Sequence, residues 1–564
     1  MPAAQTSLWL DGARRDHLDE FRAPLEAGVA IIGGGIVGAT AAHLLTRRGH
    51  RVVLLEALRI GEQITGGSSA KVTSQHTLIY SRLSATFDEA LARTYGEANQ
   101  WAVDAIENTA AELGIDCSFE RRPAYTYSIE RGRVDELHAE AQLAGRLGLP
   151  ARFVTEAPLP FKTVGAVVFD DQAQFDPYAY IAGLVRAVRR DGGRVIEGVR
   201  VNGVDDSGDR VTLQTDRGTV VARDVIIATS LPFIDDGKYF SRTLPKAHAV
   251  LTAKVPSEPV RGMFIGIDNP TRSLRSVRRA DGDWLLLVGP SFAPGDADMT
   301  EELAQLEAFA REHFPIEAIG HGWWNEDYYS IDALPYVGRL ERDREHLFVA
   351  TGFSGWGITN GTVPAHILAE TIEGSPGLWG GIFDSTRESP ATQTSPLAQA
   401  GRMLRENIDT AKNLAARLLP SDRDDPAAFV PGEGRVIEIA GDKIAVARDD
   451  EGHLHAVDAM YTHLGCELAW NNAMQTCTAY LAKPIDIADV RQMVAGLLQE
   501  SKDAAKARIG EATVADPVGL VDVNLQWIAK LEASPVMEDA EIKALAQLRT
   551  ISEALRQTLA DQRR

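Results

Sequence analysis

The chain has 564 residues, 45% of them apolar and 24% charged, a composition able to bury a large core and a length that suggests roughly three or four domains. Lys and Arg total 58 against 79 Asp and Glu, and the net charge of −21 argues against a nucleic-acid binder and against a basic membrane anchor. Cys117, Cys466 and Cys477 are too few for a disulfide framework, the charged N-terminus lacks a signal-peptide core, and no stretch reaches the ~18 apolar residues of a membrane span, so a cytoplasmic location is expected.

Residues 1–27 read as an N-terminal arm. The run "VAIIGGGIVGATAAHLLTRRGHRVVLLEAL" (29–58) is the most informative part of the chain. Its first four residues are a short apolar strand of the kind buried on both faces. The strand enters Gly33-Gly34-Gly35-Ile36-Val37-Gly38, a G-x-G-x-x-G, followed by a helical pattern to about Arg48 with Gly49 as its stop. A second strand, "RVVLLE", ends in Glu56. In this order Gly33 permits the tight turn, Gly35 lets the backbone approach a pyrophosphate, and Gly38 allows close helix–strand packing. The helix N-terminus at Ile36 presents N–H groups and a positive dipole end to the phosphates. Glu56, 23 residues after Gly33, is placed to accept hydrogen bonds from a ribose diol. The pattern predicts a dinucleotide site and leaves FAD and NAD both open.

An NAD enzyme would continue with alternating strands and helices. This chain continues with "LRIGEQITGGSSAKVTSQHTLIY" (58–80), rich in Gly, Ser and Thr and suited to lining a cofactor. Residues 192–230 read as several strands with turns at 205–209 and 216–218, closing on a buried strand that ends in Ala228 and Thr229. A last strand, "HLFVATGF" (346–353), contains Gly352 and runs into "SGWGITNGTVPAHILAETI" (354–372). There Thr359 or Asn360 is a candidate helix cap, in a first turn that tolerates Pro364. The N-terminus of that helix points a positive dipole end at whatever lies beside Gly357 and Ile358, which suits a reduced flavin with negative charge near N1 and C2=O.

Together, "SLWLDG…VAIIGGGIVG", "TGGSSAKVTSQH", "DVIIATS", "DALPYVG" and "TGFSGWGITNGT" resemble the D-amino-acid oxidase type of FAD-dependent oxidoreductases, the glycine oxidase and sarcosine oxidase superfamily. More narrowly they are similar to a bacterial subgroup that fuses this flavoprotein to a C-terminal Rieske [2Fe–2S] domain. The resemblance spans residues 7–473. It implies FAD, covalent or non-covalent, a two-domain fold and oxidation of a C–H bond next to an amine. It further implies that Gly33, Gly35 and Gly38 hold the pyrophosphate and Glu56 the adenosine ribose. Ser68, Ser69 and Lys71 would follow the phosphate and ribityl chain, Thr73 to His76 the isoalloxazine edge, and Gly357, Ile358 and Thr359 its C2=O end.

The predicted FAD-binding segments are 28–80, 171–239 and 336–385, within a flavoprotein spanning 28–390. Residues 81–170 and 240–335 interrupt them as the predicted substrate domain. The second insertion holds "GWWNEDYYSIDALPYVG" (322–338), whose aromatics and acids suggest a pocket with Tyr328, Tyr329 and Asp332 facing the ring. His76 is a candidate base, flavin hydrogen-bond donor or covalent tether, with a purely structural role the other possibility.

Residues 391–425 have apolar residues at helical spacing and read as a linker. Residues 431–460 then read as three short strands, the start of a Rieske-like segment assigned to 426–478. A Rieske cluster needs two cysteines and two histidines. Aligned on "THLGCELAWNNA", its four slots hold Tyr461, His463, Ala479 and Ala482, so no [2Fe–2S] cluster and no metal site are expected. Cys466 matches the subgroup's bracing cysteine, but the partner slot is Leu481, and Cys477 is out of phase. Beyond Ala473 the match stops. Residues 479–499 resemble the end of a response-regulator receiver domain, with Lys483 and Pro484 in place, and 518–564 read as a helical tail.

The expected architecture is α/β: a Rossmann-like FAD-binding domain with an interleaved α+β substrate domain, then a partial all-β segment and a helical tail. The expected activity is FAD-dependent oxidation of a small-molecule amine or amino acid, with O₂ or a redox protein as electron acceptor and no nucleic-acid or membrane partner. The alternatives are a flavin electron-transfer or sensor module, or a regulatory protein in which the receiver-like end matters.

Overall fold

A computed structural model describes residues 6–388, apart from 235, 236, 295, 296 and 376, and the strand segments 434–439, 442–448, 454–458, 460–461, 466–471 and 476–479. The predicted linker 391–425, the slots at His463, Leu481 and Ala482, and the receiver-like fragment and tail beyond Ala479 lie outside the described residues.

Five parallel strands form the core of the first sheet, in the order Arg194–Glu197, Val52–Glu56, Leu25–Ile32, Gly218–Ile227 and Leu347–Thr351. Val29, Ala30 and Ile31 are fully buried, as an apolar run covered on both faces requires. The helix Ile36–Arg47 covers one face together with Pro177–Arg190 and Thr359–Ile372. Asp176 starts the second of these by accepting the Ala179 N–H at 2.9 Å just before Pro177. Two antiparallel strands, Val201–Asp205 and Val211–Thr215, extend the sheet beside the N-terminal half of Gly218–Ile227.

The arm is more than an arm. The first strand begins at Leu25, three residues before the predicted boundary, and Leu25, Glu26 and Ala27 already pair with Val220, Val221 and Ala222. Leu8 and Trp9 are buried, and the Ser7 hydroxyl and Trp9 indole donate to the carbonyls of Gly66 and Ser68. The arm therefore braces the Gly/Ser-rich loop from behind.

The second sheet is drawn entirely from the two insertions. Its order is Ala318–Ser330, Thr243–Val255, Gly282–Phe292, Ser273–Arg279, Met263–Gly266, Ala124–Ser128, Gly165–Phe169 and Ala151–Val154. All neighbours are antiparallel except Met263–Gly266 with Ala124–Ser128. Period-2 alternation gives it two unlike faces. Ala249, Leu251, Leu285 and Leu287 pack with Leu303 and Leu306 of the helix Met299–His313, which Asp298 caps. The opposite face, with His248 and Val250, borders the cavity described below.

In the C-terminal part, Gly434–Ile439, Asp442–Arg448 and Leu454–Asp458 form an antiparallel three-stranded sheet, the three strands expected there. Met460–Tyr461, Cys466–Asn471 and Thr476–Ala479 form another. Among the described residues no helix is long and apolar enough to cross a membrane.

The first sheet and its helix approach so closely that a Cβ on Gly38 would lie 1.9 Å from the Gly33 carbonyl oxygen. Gly38→Ala is expected to force the helix off the strand and to lower stability in urea unfolding by about 1–3 kcal/mol. A variant as stable as the parent would contradict this packing.

Candidate active site

A cavity of about 880 Å³ runs between the two sheets, near the upper end of the roughly 300–1,000 Å³ usual for ligand sites. One end is the glycine turn. Gly33 has φ +105°, and a Cβ there would lie 2.4 Å from the Ala228 carbonyl oxygen, so only glycine fits. Gly35 and Ile36 border the cavity at the start of the helix, whose first N–H is held by the Thr65 hydroxyl at 3.1 Å. Glu56 ends its strand at the same place. Its two oxygens accept the Gly34 and Leu58 N–H groups at 2.8 Å each, which fixes the carboxylate and leaves each oxygen a further lone pair.

From there Ser68, Ser69 and Lys71 line the cavity, as do Ala228 and Thr229. The Trp323 indole donates to the Gly67 carbonyl at 2.9 Å and holds this loop against the second sheet. Lys71 is buried, and its ammonium donates to the Ser273 hydroxyl. Burial, reinforced by the like charge of Arg275, pushes Lys71 down to about 7.

The far end lies between the second sheet and the turn 353–358. Pairing of His248 with Asn325 across the strands Thr243–Val255 and Ala318–Ser330 sets the register. It places Asn325, Asp327 and Tyr329 on one face with Lys246 and His248. Tyr329 O–H and His248 Nε2 are 3.1 Å apart, and the Lys246 ammonium sits 5.0 Å from the centre of the Tyr329 ring. Burial lowers His248 to about 4 and raises Tyr329, so both are neutral at pH 7. Asp327 accepts the Tyr328 N–H at 2.8 Å and the Gly355 N–H at 2.6 Å, and burial raises it to about 6. Glu326, on the other face of the edge strand, is raised to about 7 by burial. Trp356, Gly357 and Ile358 close this end.

Six predicted site residues stand apart from this wall. Gly38 packs beneath Gly33. Gly352, at φ +79°, backs against Ser330, where a Cβ would lie 3.1 Å from the Ser330 Cβ. Thr73 and Thr359 are buried and bonded to each other, the Thr359 hydroxyl donating to the Thr73 carbonyl at 3.0 Å. Thr359 is thus the first residue of its helix rather than its cap, which is Ile358 without a side-chain bond, and Pro364 sits inside the helix rather than in its first turn.

The structure also corrects two catalytic assignments. His76 is buried behind Trp356, stacked on it at 4.6 Å. A carbonyl only accepts, so Nε2–H donates to Thr73 at 2.8 Å, and Nδ1 accepts from the Tyr95 hydroxyl at 2.6 Å. Desolvation holds the ring near 3, neutral, with both nitrogens committed. His76 positions Trp356. Asp332 lies past the end of the strand that carries Tyr329, and its fully buried carboxylate holds Arg387, 11% exposed, through two bonds of 2.8 and 3.0 Å. Arg387 and Arg242 in turn lie over the Tyr336 ring at 4.1 and 4.0 Å.

Sequence reasoning missed His248, Asn325, Asp327, Glu326, Trp356 and Ser273 as cavity residues. Alternation along "NEDYYS" puts Asp327 on the same face as Tyr329 and was an available signal. His248 and Ser273 had none, because only long-range strand pairing brings them there.

The fit to a dinucleotide is tested by the turn itself: a cradle that admits no Cβ at Gly33, a helix N-terminus facing the cavity, and an oriented acid at Glu56. These define a dinucleotide-binding oxidoreductase fold. The profile of the FAD dependent oxidoreductase family matches residues 28–371, and the chain belongs to that family. It is 34% identical over 476 residues to YhfW of Bacillus subtilis, a protein named for a Rieske 2Fe-2S centre, covering 84% of this chain and 92% of that one. Gamma-glutamylputrescine oxidoreductase of Escherichia coli is 23% identical, over 63% of this chain and 86% of its own length. The structure of glycine oxidase from Geobacillus kaustophilus matches with a TM-score of 0.56 at 20% identity, covering 64% of this chain and 99% of that one, a likeness of fold. The chain is an FAD-dependent oxidoreductase.

Breaking the Asp332–Arg387 pair leaves a largely buried guanidinium with backbone carbonyls as partners and without the Asp332 counter-charge. Asp332→Ala is expected to cost about 3–5 kcal/mol in urea unfolding. A variant with unchanged stability and lost turnover would restore the catalytic reading of Asp332.

Proposed function

We propose that the chain oxidises a C–H bond next to the nitrogen of a small amine or amino acid. The observation that carries this reading is the position of His248, Tyr329 and Lys71 on the same cavity that begins at the glycine turn. The relatives named for glycine oxidation and for gamma-glutamylputrescine support the substrate class.

When bound, FAD supplies the two-electron acceptor for the substrate hydride at flavin N5. Gly33, Gly35 and the helix N-terminus at Ile36 hold its phosphates, Glu56 its ribose diol, Ser68 and Ser69 the chain beyond, and Gly357 and Ile358 its far end. Trp356 closes the wall beside them and excludes water. Burial disfavours an ammonium ion, so the cavity itself favours the neutral amine needed for hydride loss. His248 and Tyr329, both neutral, orient the substrate as hydrogen-bonding groups rather than as ions.

The same proposal excludes a Rieske cluster as the electron exit. Tyr461, Ala479 and Ala482 offer no thiolate or imidazole where three ligands belong. Electrons leave instead to O₂ or a separate redox protein.

The purified chain is expected to show flavin absorption bands without stoichiometric iron, and anaerobic addition of a competent amine or amino acid should bleach them. Tyr329→Phe should keep its FAD and bleach about tenfold more slowly, a loss of about 1.4 kcal/mol. A broad panel that leaves the flavin oxidised overturns the oxidation reading, and two irons per chain overturn the reading of the C-terminal part.

A further inference from the structure

Among the described residues the buried Lys71 has no counter-ion. Its ammonium is bonded to the Ser273 hydroxyl, and among the described residues no carboxylate forms an ion pair with it. The charge it feels is that of Arg275, of the same sign and itself only 2% exposed. A buried ammonium beside a second buried cation is costly unless an anion joins it. The cavity, which Lys71 and Ser273 both line, offers room for one.

Two anions qualify, the cofactor's phosphates and a substrate carboxylate, and the surroundings favour the second. The phosphate-type donors lie at Gly33–Ile36, on the first sheet. Lys71 instead reaches the second sheet. Ser273 pairs with Val288, which pairs with Val250, two residues from His248. His248 in turn feels the charge of Lys71, and it is bonded to Tyr329. Thr271 and Ser291 add hydroxyls to the same patch of wall.

We propose that Lys71, oriented by Ser273, forms an anion subsite on the substrate side of the cavity and takes the carboxylate of an amino-acid substrate. The assignment rests on the oxidation proposed above and narrows it: a carboxylate-bearing substrate is favoured over a simple amine. Bound there, the carboxylate supplies the missing counter-charge and returns Lys71 toward its charged form. It also anchors the substrate at one end, so that the rest lies along His248, Tyr329 and Trp356. Lys71 is therefore moved from the phosphate and ribityl chain, where the family resemblance placed it.

The test uses the FAD-loaded full chain and two unreactive probes, propionate and its neutral analogue propionamide, titrated against the flavin visible spectrum. Propionate should bind saturably and about tenfold or more tighter than propionamide. Lys71→Met, which replaces the ammonium with an apolar group of similar length, should lose that preference while keeping its FAD. Ser273→Ala should weaken propionate several-fold. Equal affinity of the parent for both probes overturns the subsite, even if Lys71→Met does not fold. Unchanged propionate binding in Lys71→Met also overturns it. So does a loss of FAD affinity with propionate binding intact, which would assign Lys71 to the cofactor. If no amine or amino acid reduces the flavin while propionate binding depends on Lys71, the subsite stands and the oxidation reading falls.

Discussion

One buried carboxylate joins the two halves of the site. Asp327 belongs to the edge strand of the second sheet, yet it accepts the N–H of Gly355 in the turn that leaves the first sheet. That turn is conformationally demanding, with Ser354 at φ +57° and Gly355 at φ +82°. The residues that follow Asp327 hold it as well: Ser354 N–H donates to the Tyr328 carbonyl at 3.1 Å, and Ser330 N–H to the Ser354 hydroxyl at 3.3 Å. The turn also fits closely over Tyr329, whose hydroxyl lies 2.6 Å from where a Cβ on Gly355 would stand. Everything that follows, Trp356, Gly357, Ile358 and the helix from Thr359, inherits its position from this junction. The edge strand of the second sheet and the turn 353–358 are thus held together by the same few hydrogen bonds.

How much of this was legible in the sequence depends on distance along the chain. Gly33, Gly38 and Glu56 act within one strand–helix–strand unit, so their order alone carries the physics of the turn, the close packing and the acid. The existence of two inserted segments was visible as a change of pattern, and both contribute strands to one sheet. The opposite wall of the cavity was not visible. His248, Asn325 and Ser273 meet there only because antiparallel registers align them. Asp332 drew attention as an acid near tyrosines, but two residues past the strand end its side chain turns to Arg387. His76 drew attention by residue type, and burial decided otherwise: a ring with a carbonyl on one nitrogen and a phenol on the other has no proton to trade.

The C-terminal part shows a different limit. The three strands expected between 431 and 460 are present, and the relative that spans most of this chain is named for a Rieske centre. Strands alone do not hold iron. Ligand identity does, and the slots at Tyr461, Ala479 and Ala482 are read from the sequence rather than from the fold. The electron exit proposed above rests on that reading of the ligand slots.

A crystal structure of the FAD-bound chain tests the central proposal most directly. The expected result has the phosphates on the Gly33–Ile36 turn, the ribose on Glu56 and the flavin ring beside Gly357 and Ile358, with Lys71, His248 and Tyr329 on its open side. A flavin ring seated away from Tyr329, or phosphates paired with Lys71, would contradict it.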